Sequence, residues 1–403
     1  LQPHSELAVC HAEMSAVRTI VVGCGEPKKS MGWFHLQQLS VNPKAELLAV
    51  VEPWFLGGGA GSRGAAAFEA MRAELGRTHP GCKFHASVAE VAVPRDGAPV
   101  LALVAGRTCD APSIFDALCE KGVTHIYLEK PGADSAARLE AMRLKATERG
   151  VAVLVGYNKN VAQYMTEALA ALAARREANQ PAPLVTLEHC NAFKPGAELA
   201  EFLSGPGGEG MLHNMACHEL ALASTLFGVS VERVASVQLE PELCEIVYLD
   251  HGGADWSRVA FTLELHPSDT APVHASVGVP PTSLRFAIDR CGGNFSRAHL
   301  KAPAAGDAEE LVFRLPNPEH QAWVEEQEKQ EPEMRPYFFQ QAPDYLALKG
   351  AFLEHIVAGR QGTPPGVVDL DGALAALRLA DMLRPALLEC WEAGAPYKWS
   401  PSA

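Results

Sequence analysis

Two short motifs carry side chains that could take part in proton transfer. Glu129-Lys130-Pro131 ends one apolar, strand-like run, and Gly156-Tyr157-Asn158-Lys159 ends the next. In an open parallel sheet, ligands bind just beyond the carboxyl ends of the strands. A lysine there can donate hydrogen bonds or relay a proton, and Pro131 biases Lys130 away from helical conformations. On its own, the tripeptide is more typical of a surface lysine at a strand-to-helix turn.

A third motif lies on a predicted helix over residues 211–228, where Gly228 suits the C-terminal cap. Asn214 and His218 are spaced i, i+4, so they share one helix face and could contact the same ligand. Taken alone, a histidine on an apolar helix is more often a structural core residue. His213 and His218 are five residues apart, which is not the spacing of helix metal ligands, and we expect no metal site.

The N-terminal stretch predicts a cradle for a dinucleotide. A strand over 17–23 leads into Gly23-Cys-Gly25, and Met31-Gly32 opens a helix. Backbone amides and the helix N-terminus could then bind a pyrophosphate. The loop from Glu26 to Met31 is about four residues longer than in the usual glycine motif. We expect Gly23, Gly25, Gly32 and Gly106 to contact the cofactor, together with Glu129 and Lys130.

The residue that ends the second predicted strand bears on the choice of cofactor. Glu52 could accept hydrogen bonds from both ribose hydroxyls, which favours NAD over NADP. A solvated acid at a strand end is the alternative interpretation. Lys28 and Lys29 favour NADP instead, because they could neutralise its extra phosphate.

Strands and helices alternate over residues 16–155, which predicts a doubly wound parallel sheet of the Rossmann type. Over 156–403 the pattern predicts an α+β domain with one large, mostly antiparallel sheet. The predicted strands are 184–191, 231–239, 243–249, 259–265, 273–279, 284–289 and 311–315. Helices are predicted at 65–76, 112–121, 163–178, 345–358 and 371–391. Residues 316–343 are predicted to form a solvated helical segment that contains no site. The sheet has too few helices to cover both faces, so we expect an uncovered apolar face that binds a second copy, most simply in a dimer.

Composition limits the function classes. The chain has 403 residues, enough for two domains, and a net charge of −14, which makes nucleic acid or an anionic membrane an unsuitable partner. Ten cysteines without a Cys-x-x-Cys pair indicate reduced core residues and a cytoplasmic protein. Residues 1–15 are set aside as a tag or processed leader, since Met14 could be a natural start. An organellar location stays open if 1–13 are a leader remnant.

Taken together, the motifs resemble those of the glucose-fructose oxidoreductase, inositol dehydrogenase and MocA family. The resemblance extends over residues 17–395 and depends on the order of five motifs. These are Gly23-Cys-Gly25 with Gly32, Glu129-Lys130-Pro131, Gly156-Tyr157-Asn158-Lys159, Asn214-x-x-x-His218 and Asp369-Leu-Asp-Gly372. The resemblance implies a Rossmann domain followed by an open sheet, with the active site between them.

The resemblance also implies hydride transfer between NAD(P) and a sugar, polyol or related hydroxy or carbonyl compound. Lys130 matches the family's catalytic lysine, and His218 matches its proton-transfer histidine. Asn214 stands where many members have Asp, and a neutral amide cannot accept a proton near neutral pH. Asn158 and Lys159 would orient the substrate. The alternatives are a dinucleotide-binding sensor without activity and a glycoside-cleaving enzyme that uses NAD transiently.

Overall fold

The N-terminal half of the chain folds around a parallel sheet. The computed structural model describes residues 16–193, 196, 199, 203, 209–249, 253–271, 273–302, 310–394 and 397–401. The strands are β1 (Val17–Val22), β2 (Ala45–Val51), β3 (Lys83–His85), β4 (Val100–Val104), β5 (His125–Leu128) and β6 (Ala152–Val155). All are parallel, in the order β3-β2-β1-β4-β5-β6. The accompanying helices are α1 (Met31–Ser40), α2 (Ala65–Thr78), α3 (Ala111–Lys121) and α4 (Ala136–Arg149).

The second half contains the predicted mostly antiparallel sheet. Its strands are β7 (Leu184–Cys190), β8 (Val234–Leu239), β9 (Glu245–Tyr248), β10 (Ala254–Leu265), β11 (Ser283–Asp289), β12 (Phe295–Lys301) and β13 (Glu310–Leu315). The order is β13-β12-β7-β11-β10-β8, with β9 paired to β10, and only β7 and β11 pair in parallel among these described strands. The helices are α5 (Gln163–Glu177), α6 (Cys217–Phe227), α7 (Pro318–Gln330), α8 (Pro336–Val357) and α9 (Leu370–Ala393). The predicted fold class is therefore confirmed.

Two strand predictions differ from the structure. Residues 273–279 form a turn closed by the bond from the Val277 amide to the His274 carbonyl, and Gly278 has a φ of +76°. β12 was not predicted, because its inward positions include only Ala298 and Leu300 as apolar residues. A strand with so few apolar residues gives a weak period-two signal.

The open face of the second sheet is polar, so the prediction of an uncovered apolar face is wrong. The inward residues of β10 and β11, such as Phe261 and Phe286, are fully buried, whereas the alternating side chains are mostly half-buried and half of them are charged. Arg285 donates two hydrogen bonds to Glu240, at 2.7 and 2.8 Å. Glu188 bonds His299 at 2.9 Å. Cross-strand pairs of this kind make the face compatible with water.

The last part of the chain returns to the first sheet. α8 begins at Pro336, earlier than predicted, and buries polar residues of the stretch taken as solvated, including Gln340. Further along α8, Leu348 and Phe352 pack in one apolar cluster with Val21 and Leu101 of the parallel sheet. A helix from the sequence-distal half thus covers the N-terminal sheet and brings its own polar residues towards that sheet's loops.

The last helix begins as its motif predicts, with the Asp369 side chain accepting a hydrogen bond from the Gly372 amide at 2.9 Å. Cys24, Cys119, Cys217 and Cys244 are free thiols and are buried as expected. Residues 1–15 lie outside the described part. Within that part, no helix combines the length and apolar character needed to cross a membrane.

Candidate active site

The glycine turn after β1 is shaped for close backbone approach. Gly23 has a φ of +81°, and a Cβ there would lie 2.7 Å from the Gly106 nitrogen. A Cβ on Gly32 would overlap the Gly23 carbonyl oxygen. The start of α1 therefore packs against the turn only because both positions are glycine. Ser30 does not cap α1 with its side chain, so the first amides of the helix have no capping partner there.

Glu52 is held by this turn. Its carboxylate accepts hydrogen bonds from the Gly25 amide at 2.6 Å and from the Trp54 amide at 3.0 Å, and it is 3% exposed. Each oxygen accepts one of these hydrogen bonds and has capacity for a second. Lys28 forms ion pairs with Glu331 and Glu333, both at 2.7 Å.

Lys29, the other lysine considered for an extra phosphate, pairs with Glu26 in the same loop. Both cations of the enlarged loop are therefore bound to carboxylates. Glu331 and Glu333 lie between α7 and α8, so the loop also contacts the C-terminal part of the chain.

Lys130 and Asn214 are neighbours. The Lys130 ammonium donates to the Asn214 backbone oxygen at 2.5 Å. The Asn214 side-chain amide donates to Glu209 at 3.2 Å. The sequence indicated Lys130 and Asn214 as site residues but did not indicate Glu209. The only sequence feature of Glu209 is that it is an acid inside a glycine-rich run. This carboxylate supplies negative charge next to Asn214, which itself carries none.

His218 is buried beside this pair. It is 6% exposed, its Nδ1 has no described hydrogen-bond partner, and its ring meets the Tyr157 ring edge-on at 5.7 Å. Burial first, and then the positive charges of Lys130 and Lys159, hold the pKa of His218 well below its usual value. The imidazole is therefore neutral at physiological pH and can accept a proton.

The helix that carries His218 is less regular than predicted. Met211–Met215 forms a π-helical turn, and the α-helix α6 starts only at Cys217. Asn214 and His218 thus lie on opposite sides of a change in helical geometry. Such π-turns occur frequently at functional sites.

Lys159 is bound inside the protein. It is 1% exposed, and its ammonium lies 2.5 Å from Glu219 Oε1. The other Glu219 oxygen bonds His189 Nδ1 at 3.0 Å. Burial raises the pKa of Glu219, but His189 and Lys159 outweigh burial and bring it to about 2. The ammonium predicted to orient the substrate is thus engaged by Glu219, and sequence reasoning did not identify Glu219 or His189.

Glu129 belongs to a second buried network. Its Oε1 contacts His35 Nε2 at 2.8 Å and accepts from the Tyr127 hydroxyl at 3.0 Å. Lys349 of α8 lies 2.8 Å from His35 Nδ1. Burial and the nearby Lys349 lower the pKa of His35 to about 4, although Glu129 opposes this. Burial lowers the pKa of Lys349 to about 7, against the influence of Glu129, so this side chain exchanges its proton near neutral pH. In either form it can donate to neutral His35, which in turn donates to Glu129, and these hydrogen bonds connect α1, the end of β5 and α8.

α8 also contributes polar groups next to the second motif. Asn158 is fully buried and donates to Gln341 at 3.3 Å, while its Oδ1 has no described partner. Asp344 is 3% exposed and its Oδ2 has no described partner either. Burial raises the pKa of Asp344 to about 7, against the influence of Lys159. The stretch predicted to lack a site thus lies directly against a predicted substrate residue.

A cavity among the described residues lies away from these motifs. It has a volume of about 550 Å³, and its lining includes His125 at the start of β5, Val151 just before β6 and Arg360 in the loop after α8. Ligands of open parallel sheets bind at the opposite, carboxyl ends of the strands. Among the described residues, no group of three or more His, Cys, Asp or Glu is placed to hold a metal ion.

No protein-family model and no curated protein matches this sequence. Solved structures do match. A myo-inositol dehydrogenase from Corynebacterium glutamicum ATCC 13032 is similar with a TM-score of 0.61 and 19% identity, over 96% of this chain and 99% of that one. A scyllo-inositol dehydrogenase from Lactobacillus casei is similar with a TM-score of 0.61 and 12% identity, over 94% of this chain and 97% of that chain.

A third similar structure is an oxidoreductase from Agrobacterium radiobacter in complex with NAD+, L-tartaric acid and magnesium. Its TM-score is 0.58 and its identity 12%, over 96% of this chain and 98% of that chain. Each of the three similarities extends over nearly the whole length of this chain and of the chain compared with it. The chain therefore has the two-domain fold of these oxidoreductases, and the resemblance to the glucose-fructose oxidoreductase, inositol dehydrogenase and MocA family is confirmed for the fold.

Proposed function

We propose that the protein is an NAD(P)-dependent oxidoreductase that transfers a hydride between a nicotinamide cofactor and a sugar, polyol or related hydroxy or carbonyl compound. The observation that carries this proposal is the arrangement of Lys130, Asn214 and His218 beyond the carboxyl ends of the parallel strands. It combines a cation, an amide and a neutral imidazole, and Lys130 follows a strand of the same parallel sheet as the glycine turn. The names of the similar structures agree with this reaction class.

The residues of the cradle suit a dinucleotide. Gly23, Gly25 and Gly32, with the first amides of α1, would hold the pyrophosphate, because a Cβ on Gly23 or Gly32 would clash with the backbone that gives the turn its shape. Gly106 borders the same turn. Glu52 would accept a ribose hydroxyl, and its buried carboxylate would repel a 2′-phosphate. Since both loop lysines pair with carboxylates, we propose NAD as the preferred cofactor.

A bound nicotinamide would supply the hydride acceptor or donor, and the chain's own residues would handle the proton. His218, which is neutral, would take the proton of the substrate hydroxyl. Lys130 would donate a hydrogen bond to the same oxygen and stabilise its developing negative charge. Asn214 and Asn158 would orient neighbouring hydroxyls. Lys159 would act indirectly, by fixing Glu219.

A dinucleotide-binding sensor is the second candidate. One observation favours it: the Lys130 ammonium is already bound to the Asn214 carbonyl, and Asn214 itself cannot take up a proton. In a sensor, this bond would persist when the dinucleotide binds. In the oxidoreductase, the lysine would exchange that bond for the substrate oxygen.

The test is turnover with NAD+ or NADP+ and a panel of myo-inositol, scyllo-inositol, D-glucose and L-tartrate, followed by nicotinamide absorbance. His218→Ala should lower kcat by about 10²–10⁴ while dinucleotide affinity stays near normal. Lys130→Met should also lower turnover, and Lys145→Met, a lysine paired with Asp116 on the surface, is its control.

Dinucleotide binding without turnover of any compound would favour the sensor. Product formation without net accumulation of reduced cofactor would indicate the glycoside-cleaving alternative. Full activity of the His218→Ala variant would remove His218 from the mechanism.

We also propose a homo-oligomer, most simply a dimer, formed through the open face of the second sheet. Its support is the paired charged surface of Glu188, Arg285 and His299, half-buried in the single chain. Because this face is polar, the interface would depend on ionic pairs and bound water more than on apolar burial. Small molecules are the proposed substrates, and the cytoplasm is the proposed location.

A further inference from the structure

His189 is a buried histidine at the end of β7 that no motif had indicated. It is 5% exposed, and its Nδ1 lies 3.0 Å from Glu219 Oε2. Its ring meets the His218 ring nearly at right angles, at a centroid distance of 6.0 Å. Burial lowers the pKa of His189, and Lys159 after β6 and Lys130 after β5 lower it further, while Glu219 on α6 opposes them.

The contact with Glu219 fixes the tautomer of His189. The pKa of Glu219 is about 2, so the carboxylate is ionised and can only accept hydrogen bonds. His189 must therefore donate from Nδ1. When the ring is neutral, its Nε2 then carries the lone pair. A carboxylate that binds one imidazole nitrogen and leaves the other basic is a recurring arrangement in proton transfer.

His218 does not have such a partner, since its Nδ1 is buried without a described hydrogen bond. On gaining a proton it would become a buried cation close to Lys130 and Lys159, which both disfavour its charged form. A proton held there is costly, and a nearby acceptor with its own carboxylate would lower this cost. His189 is such a group.

We propose that His189 is the second proton acceptor of the cleft and receives at Nε2 the proton that His218 takes from the substrate hydroxyl. This inference depends on the proposed oxidoreductase function. The hydroxyl O–H bond breaks and an N–H bond forms on His218. That proton then passes to His189, and His218 returns to its neutral form. The C–H electron pair leaves with hydrogen as hydride to NAD(P)+, the oxidant. Glu219 stabilises the His189 cation, and Lys159 keeps Glu219 ionised.

The test uses the full-length protein and whichever compound of the panel is oxidised. His189→Asn is the informative variant, because the asparagine amide nitrogen occupies the place of Nδ1. It keeps the donor to Glu219 and removes the basic nitrogen. We expect kcat at neutral pH to fall by about 10–100-fold, with KM and dinucleotide affinity within about twofold. The acidic limb of the pH–kcat profile should shift, and the solvent deuterium isotope effect on kcat should increase.

His355→Asn is the matched control. His355 is also a buried histidine, bonded through Nε2 to the Gln361 carbonyl at 3.0 Å. The His355→Asn variant should have the same pH–kcat profile as the wild type. If His189→Asn does not fold, nitrogen NMR of the wild-type imidazole still decides the tautomer, and a proton on Nε2 in the neutral ring would overturn the proposal.

The two hypotheses fail in different ways. An active wild type together with a folded His189→Asn variant of unchanged kcat and pH profile refutes only the role of His189. Absence of turnover by the wild type refutes the proposed oxidoreductase function, and the role of His189 falls with it.

Discussion

Asp344 should make the protein less stable as the pH rises, and Asp344→Asn should remove that loss. The side chain is 3% exposed, and burial raises its pKa from 3.8 to about 7. Between these two values the folded state binds a proton that the unfolded state has released. The free energy of unfolding therefore falls with increasing pH across this window, and the loss is complete above about pH 7.

The size of the effect follows from the same pKa values. A rise from 3.8 to about 7 is roughly three units, and at 1.36 kcal/mol per unit it amounts to about 4 kcal/mol. Relaxation around the charged carboxylate reduces this figure, so we expect about 2–4 kcal/mol. Asparagine has almost the same shape and no charge. At pH 8 the variant should melt about 2–5 °C above the wild type, and near pH 4 the two should melt together.

The assay is thermal unfolding of both proteins at a series of pH values from 4 to 8, with urea unfolding as the second measurement. Asp371→Asn is the control, since the Asp371 side chain is 75% exposed. It should follow the wild type at every pH. An Asp344→Asn variant that is less stable than the wild type at pH 8 would refute the reasoning, because it would show that the ionised carboxylate makes favourable contacts.

Three further predictions concern the cofactor and the assembly. Gly32→Ala should weaken dinucleotide binding at least about tenfold, since its Cβ would overlap the Gly23 carbonyl, whereas Gly76→Ala meets no atom within 4 Å and should bind normally. Equal affinities would contradict the proposed cradle. Fluorescence titration should show tighter binding of NAD(H) than of NADP(H), with a smaller difference in Glu52→Gln; tighter NADP(H) binding that depends on Lys28 would reverse this conclusion. Light scattering at micromolar concentration should show a dimer that dissociates as salt is added, and a monomer at low salt would exclude the polar interface.

The sequence alone determined the parts of this protein that depend on local chemistry. A glycine turn between an apolar strand and a helix, and Lys130 or Asn158 directly after a strand, can be identified because neighbouring residues impose the backbone conformation. Because the carboxyl ends of parallel strands share one edge, the sequence also placed these motifs at a common cleft. It did not indicate β12, where the apolar residues are too few.

Only the tertiary structure decided which side chains became partners. Lys159 and Glu219 are separated by 60 residues, and His189 joins them from a strand of the other sheet. α8 returns to the parallel sheet and brings Asp344 against the cleft. The polar character of the open sheet face likewise depends on which strands are adjacent. Such pairings follow from strand order and helix docking, which are set by the burial of the whole chain. No local pattern of residue types records them.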